Sequence, residues 1–379
     1  MRSTLRTTSV LIAAGAALAA TVLGIGPASA SDQHLNHAAP VFVQSDNPDG
    51  NTVVAYTRAA DGTLHQAGVY ATGGRGGILD GSMADHLASQ GSLAYDAAHR
   101  LLYAVNAGSD TVTVFAVHGD QLTQRQVLAS GGRFPVSVAV HGDHVYLLNA
   151  IDGGSVQGFR LDGSMLRPVA DQHRALGLDP SATPQFTHTP GQLAVTPDGR
   201  NLVVTTKAGG QSIDVFPLGR DGAPSAAPVV NAEPGAVPFG FVFDAHGRLQ
   251  VTEVGPNAVA TFTVGRDGHL TPLGQAPTGQ AATCWLATAG GHLYASNAGS
   301  ASLSGFTADH HGALMPLGNT TTDPGTVDAA ASTDGHYLYV QTGGKGIVDE
   351  FRVRADGMLT SVGSVTVPGA MGGEGIVAL

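Results

Sequence analysis

One unit of about 45 residues, repeated down the chain, constrains this sequence more than any other feature. The clearest copy begins at Ser92, SLAYDAAHRLLYAVNAGSDTVTVFAVHGDQLTQRQVLASGG. It holds four β-type runs, Leu93–Tyr95, Leu101–Val105, Thr111–Phe115 and Gln121–Leu128, separated by turn clusters such as Asp96-Ala97-Ala98-His99 and His118-Gly119-Asp120. Short runs bounded by Gly, Asp and Asn read as antiparallel hairpins. Further copies start at Ser137, Gln192, Gly240, Trp285 and Asp328. Aligned on the end of the second run (Asn106, Asn149, Thr206, Glu253, Asn297, Thr342), the steps are 43, 57, 47, 44 and 45 residues. The long step marks an insertion near Ala170–Pro190. A seventh copy is split. Val41–Gln44, Thr52–Thr57 and Thr63–Tyr70 lack the first run, and Ile376-Val377-Ala378 at the C-terminus matches it. The expected fold is therefore all-β: a seven-bladed β-propeller of four antiparallel strands per blade, its first blade closed by the C-terminal strand, which leaves no open ring edge.

The N-terminus has its own pattern. Arg2 and Arg6 precede the apolar run Val10–Leu18, and Gly26-Pro27-Ala28-Ser29-Ala30 has the small residues of a cleavage site. Residues 1–30 read as a secretory signal peptide, 31–40 as a flexible tail and 41–379 as the propeller. The apolar run is short for a membrane span, so the expected product is secreted. Formal charge is -11, and -13 without Arg2 and Arg6; Lys207 and Lys345 are the only lysines. Nucleic acid and anionic membranes are thus excluded as expected partners. What remains is a small-molecule or cell-envelope ligand, with a monomer as the expected state. Cys284 stands alone, so no intramolecular disulfide forms, and with no basic neighbour in sequence it reads as a buried structural thiol.

Topology locates a site without any motif. The start of each first strand and the end of each second strand open on one face, around the channel mouth. The first set includes His86, Gln90, Arg133, His188, Cys284 and Glu374, and the second Asn106, Asn149, Lys207, Glu253, Asn297 and Thr342. Lys207 and Glu253 put charges where other copies are neutral, and are candidate catalytic residues; a Lys–Glu ion pair between adjacent blades is the alternative. His188 is a candidate general base or a solvated loop histidine. Arg133, Asn106, Asn149, Asn297 and Glu374 are candidate substrate-binding residues. No metal site or cofactor is expected, although the three asparagines with Glu253 could hold a hydrated Ca²⁺; asparagine at such places also caps turns.

The units LYAVNAGSDTVTVF, LAVTPDGRNLVVTTKAGGQSIDVF, LYASNAGSASLSGF and LYVQTGGKGIVDEF resemble bacterial lactonase-like propellers of the YVTN type. That group includes metal-independent phosphogluconolactonase-type propellers and fungal carboxymuconate-cyclizing enzymes. The resemblance implies a hydrolase or cyclase working on a lactone at the channel mouth with His, Arg and Glu side chains. His188 resembles the family's histidine before an inner strand, and Glu253 its acidic partner. Of the expected arginines only Arg133 is at the mouth, with Lys207 standing in, which argues against phosphorylated or multiply acidic substrates. A non-enzymatic extracellular binding or scaffold propeller is the alternative, since fold alone does not choose.

Overall fold

The computed structural model describes residues 39–379. The expected signal peptide and residues 31–38 of the expected tail lie outside them. Seven four-stranded antiparallel sheets follow one another along the chain. The second blade is typical: Leu93–Asp96 innermost, then Leu101–Asn106, Thr111–His118 and Gln121–Ala129. The first blade is completed from both termini, with Ile376–Ala378 pairing antiparallel to Val41–Gln44. This closing strand also packs between the innermost strands of blades two and seven, so the ring of inner strands is continuous.

Burial explains why each strand has its composition. Second strands have neighbours in the sheet on both sides and blades on both faces. Leu101–Asn106 and Tyr337–Thr342 are buried at every position and read as nearly continuous apolar runs. Outermost strands alternate, as in Gln121–Ala129, because one face is wet. Between blades, side chains from facing sheets close into separate cores; Val203, Val215, Phe241, Val251 and Phe262 fill the gap between blades four and five.

A tyrosine near the middle of the second strand stitches neighbouring blades. Tyr146 Oη donates to Gly222 O at 2.6 Å, Tyr294 Oη to Gly357 O at 2.8 Å, and Tyr339 Oη to Gly62 O at 2.9 Å. Each acceptor is a hairpin glycine of the next blade, with φ between +75° and +97°, a region that disfavours a side chain. The Tyr339 bond joins the last blade to the first. The insertion expected near Ala170–Pro190 is a long outer strand, Met165–Ala175, then a loop with one helical turn, Gln185–His188. Among the described residues no helix is long and apolar enough to cross a membrane.

Candidate functional site

The mouth predicted from topology is filled by the chain itself. The connection from blade one to blade two, residues 79–91, runs across it. His86 N donates to Gly372 O (2.8 Å) on the first-blade side, and Ser89 Oγ to Val136 O (2.9 Å) of blade three. Trp285 Nε1 of blade six donates to Ser89 O (2.6 Å), and Gln90 N donates to Gly191 O (3.1 Å) at the entry to blade four. The Gln90 amide donates to Leu286 O (2.7 Å) and accepts from Leu286 N (3.1 Å), as a paired strand would. One segment that bonds the approach to blade one and blades three, four and six within five residues, His86 to Gln90, must lie on the axis. It is a cover over the channel.

Lys207 holds this cover. It follows the second strand of blade four, is 1% exposed, and has φ +49°. Ala107, Ala150, Val254 and Ala298, in the same place in other blades, stay out of that left-handed region. Such a conformation costs about 1–3 kcal/mol for a side chain with a Cβ. Nζ donates to Ala88 O and Phe186 O, both at 2.6 Å, and to Thr189 Oγ1 at 3.0 Å, and lies 5.2 Å from the centre of the Phe239 ring. All three ammonium protons are thereby satisfied. Burial pushes its pKa down to about 7, against the pull of Asp85 and Cys284.

Four carboxyl groups are buried beneath and beside the cover. Asp85, within it, accepts from Leu87 N (2.8 Å) and Ser89 N (2.9 Å). Glu374 accepts from Ser92 N (3.2 Å) and Ser89 Oγ (3.3 Å), and its own N–H donates to Asp46 Oδ2 (2.9 Å). Asp46 also accepts from Gln44 Nε2, and Asp328 from Ala329 N (2.9 Å). Burial raises all four: Asp85 to about 6, Asp46 and Asp328 to about 7, and Glu374 well above the usual carboxylate range, with the other carboxylates pushing it further. Four mutually repelling acids, only Asp85 of which feels Lys207, cannot all ionise in so dry a place, so protons are held here near neutral pH. Sequence reading missed Asp46, Asp85 and Asp328; only Glu374 was picked out. They shared no sequence signal: Asp46 follows the second strand of blade one, Asp85 lies within the connection from blade one to blade two, and Asp328 is inside the first strand of blade seven.

The other candidates are placed as follows. His188 ends the helical turn of the insertion; its Nδ1 faces Pro184 O and Thr187 Oγ1, both at 2.9 Å, and the ring is half-buried. It lines a small crevice with Asp152, Asp179 and Gln185 and makes no bond to Lys207. Glu253 is 5% exposed, accepts from Gln275 Nε2, and has its pKa raised by burial. The ion pair considered for Lys207 and Glu253 is not formed, because Lys207 turns inward to the cover. Arg133 points outward, with its side chain 62% exposed, and reaches Asp152 at 3.4 Å. His86 is half-buried against Gly372, and burial lowers its pKa.

Asn106, Asn149 and Asn297 are fully buried and tie the second strand to the third. Asn106 Nδ2 donates to Thr113 Oγ1 (2.9 Å) and Thr111 Oγ1 (3.1 Å), and its Oδ1 accepts from Asn51 (3.0 Å). Asn297 Nδ2 donates to Ser304 Oγ (3.0 Å), and its Oδ1 accepts from Thr283 Oγ1 (2.7 Å); Asn149 Nδ2 reaches Ser155 Oγ at 3.5 Å. Among the described residues no group of three or more His, Cys, Asp or Glu is placed to hold a metal ion. Cys284 is buried and its thiol is pushed up to about 12, which keeps it protonated.

Comparison with known proteins agrees with this architecture. The family described as "Lactonase, 7-bladed beta-propeller" matches residues 51–252 and 250–373. The periplasmic gluconolactonase of Pseudomonas aeruginosa is 19% identical with a TM-score of 0.71, over 89% of this chain and 98% of that one. A protein from Lactobacillus plantarum is 19% identical with a TM-score of 0.70, over 89% and 98%. Virginiamycin B lyase of Staphylococcus aureus is 12% identical with a TM-score of 0.55, over 76% and 88%. At such identities these structures speak to the fold alone. No curated protein sequence matches the chain. The family match spans most of the described residues and coincides with the seven closed blades, and the chain belongs to the lactonase seven-bladed β-propeller family.

Proposed function

We propose that this protein is an exported propeller that opens or closes a small lactone at the channel mouth, with Lys207 at the reacting centre beneath the 79–91 cover. The observation that carries this reading is the buried ammonium with two carbonyl oxygens at 2.6 Å. Those oxygens sit where a lactone carbonyl oxygen would be held, so the site is filled by the chain's own carbonyls until the cover lifts. Export is supported by the signal-peptide pattern at 1–30 and by the printed name of one similar structure, a periplasmic gluconolactonase.

The chemistry follows from the groups present. Water adds to the lactone carbonyl carbon, and the developing oxyanion is stabilised by the Lys207 ammonium in place of its present acceptors. An ionised Asp85 takes the proton from the water. The ring C–O bond then breaks, and protonated Glu374 gives its proton to the leaving alkoxide, yielding the hydroxy acid. Asp85 must be ionised, with its pKa near 6, and Lys207 protonated, with its pKa near 7. Turnover should therefore peak between those values. His188 and Glu253 stand beside the mouth and would meet the ligand on entry.

A lactone panel assayed by acid release tests this. Wild type should turn over at least one γ- or δ-lactone, and Lys207→Met should lose about 10²–10³-fold in kcat. Absence of turnover by wild type, or equal rates in Lys207→Met, would remove the enzyme reading. One observation favours the second reading, a non-enzymatic extracellular binding propeller: every ammonium proton of Lys207 is already satisfied by the chain itself. A lactone that binds without being hydrolysed would establish that alternative.

A further inference from the structure

A well-formed cavity among the described residues lies away from the mouth. It lies on the opposite face, between the turns that join first to second strands in blades five, six and seven, with a volume of about 590 Å³. That is within the range of pockets that enclose small molecules, roughly 300–1,000 Å³. Its wall is mainly apolar with a few polar side chains, some of them fixed in place. Arg248 is 8% exposed; its Nε donates to Asp244 Oδ2 at 2.6 Å and its Nη1 to His310 O at 3.2 Å, while Nη2 has no acceptor among the described residues. Gln250 is 2% exposed and lines the cavity. It sits between Leu249 and Val251, which face blade four, so it points the other way, toward blade six and the cavity. Its amide is therefore placed to bond a ligand or water in the cavity. Thr288 adds an exposed side chain.

Charge decides the class of ligand. Arg248 is offset by Asp244 at salt-bridge distance, so the cavity presents no surplus positive charge to a phosphate or a polycarboxylate. What it does present is a mixture of donors and acceptors: a free guanidinium N–H, a carboxamide and a hydroxyl. That mixture matches alternating hydroxyl groups. We infer that this cavity binds a neutral saccharide of one or two rings, held by Gln250 and Arg248, on the face opposite the Lys207 site.

Ligand-observed NMR and calorimetry with glucose, galactose, N-acetylglucosamine and maltose test the inference on the whole protein, beside gluconate and inorganic phosphate. The expected result is binding of at least one neutral sugar. Gln250→Leu should weaken it about tenfold, and Thr288→Tyr, which puts a ring into the cavity from an exposed position, should weaken it by at least as much. Both variants should keep the wild-type lactone turnover, which reads a different face. If Gln250→Leu does not fold, Thr288→Tyr decides alone. Lack of binding by every neutral sugar at about 10 mM, preferential binding of gluconate or phosphate, or undiminished sugar binding in folded Thr288→Tyr would each overturn the inference.

Discussion

Lys207 shows how one residue departs from a repeat and changes what the repeat can do. Copies with a small residue at this place leave the turn relaxed, whereas lysine here accepts a left-handed backbone and reaches the channel axis. Its companions make the site sensitive to pH. Asp46, Asp85, Asp328 and Glu374 bind protons more tightly in the native state than in the unfolded chain. The contribution of Asp46, Asp85 and Asp328 is fully present below the unfolded carboxylate range, near pH 4, and is lost as pH rises through 6 to 7, and Glu374 adds a loss in the same direction. Lys207 has the opposite shift: above pH 7 the native state binds fewer protons than the unfolded chain, so stability recovers toward pH 10. The melting temperature should therefore be higher at pH 5 than at pH 7.5, and Glu374→Gln should flatten that slope. A steady rise in melting temperature from pH 5 to 7.5 would show that these groups are not buried as described. The sequence displayed Lys207 as an exception to the repeat. It did not display the three aspartates, because each is ordinary in its own segment, Asp46 and Asp85 in connections and Asp328 in a first strand, and becomes unusual only when the blades bring those segments together.

At the scale of the element, second-strand tyrosines and the cover do different work. Tyr146, Tyr294 and Tyr339 each spend their hydroxyl on a carbonyl of the next blade, whereas the Tyr103 hydroxyl is buried without a partner. Tyr339→Phe should thus cost about 1 kcal/mol in chemical denaturation, and Tyr103→Phe should be neutral or slightly stabilising. Equal losses would mean that ring packing, not the bond, joins the blades. Strands were legible because each leaves a local signature: turn residues on both sides, alternation where one face is wet, and a continuous apolar run where neither is. The cover was not, because residues 79–91 carry no periodicity. Their role comes from contacts to blades distant in sequence, such as Ser89 with Trp285 and Ala88 with Lys207. Reading the connection as mouth-lining rather than mouth-filling followed from that.

The described residues form a ring closed by the strand Ile376–Ala378. Ile376–Ala378 supplies the inner strand of the first blade, and Glu374 beside it carries a carboxylate of the buried cluster, so closure and candidate site depend on the same few residues. Removing Glu374–Leu379 should abolish cooperative unfolding or lower the melting temperature by many degrees; a truncated chain that melts like the intact one would refute the closure. The split of one blade across both termini could be seen in the sequence because the missing run and the surplus run matched. Whether the channel is open depends on a segment between blades and had to come from the structure. The most direct test of the covered site is hydrogen–deuterium exchange across residues 79–91, with and without saturating lactone. The expected result is slow exchange at His86 and Gln90 in the free protein, where their N–H groups are bonded to Gly372 and Gly191, and faster exchange at both with lactone bound as the cover lifts. Rapid exchange of both amides in the free protein, or no response to a lactone shown to bind, would contradict it.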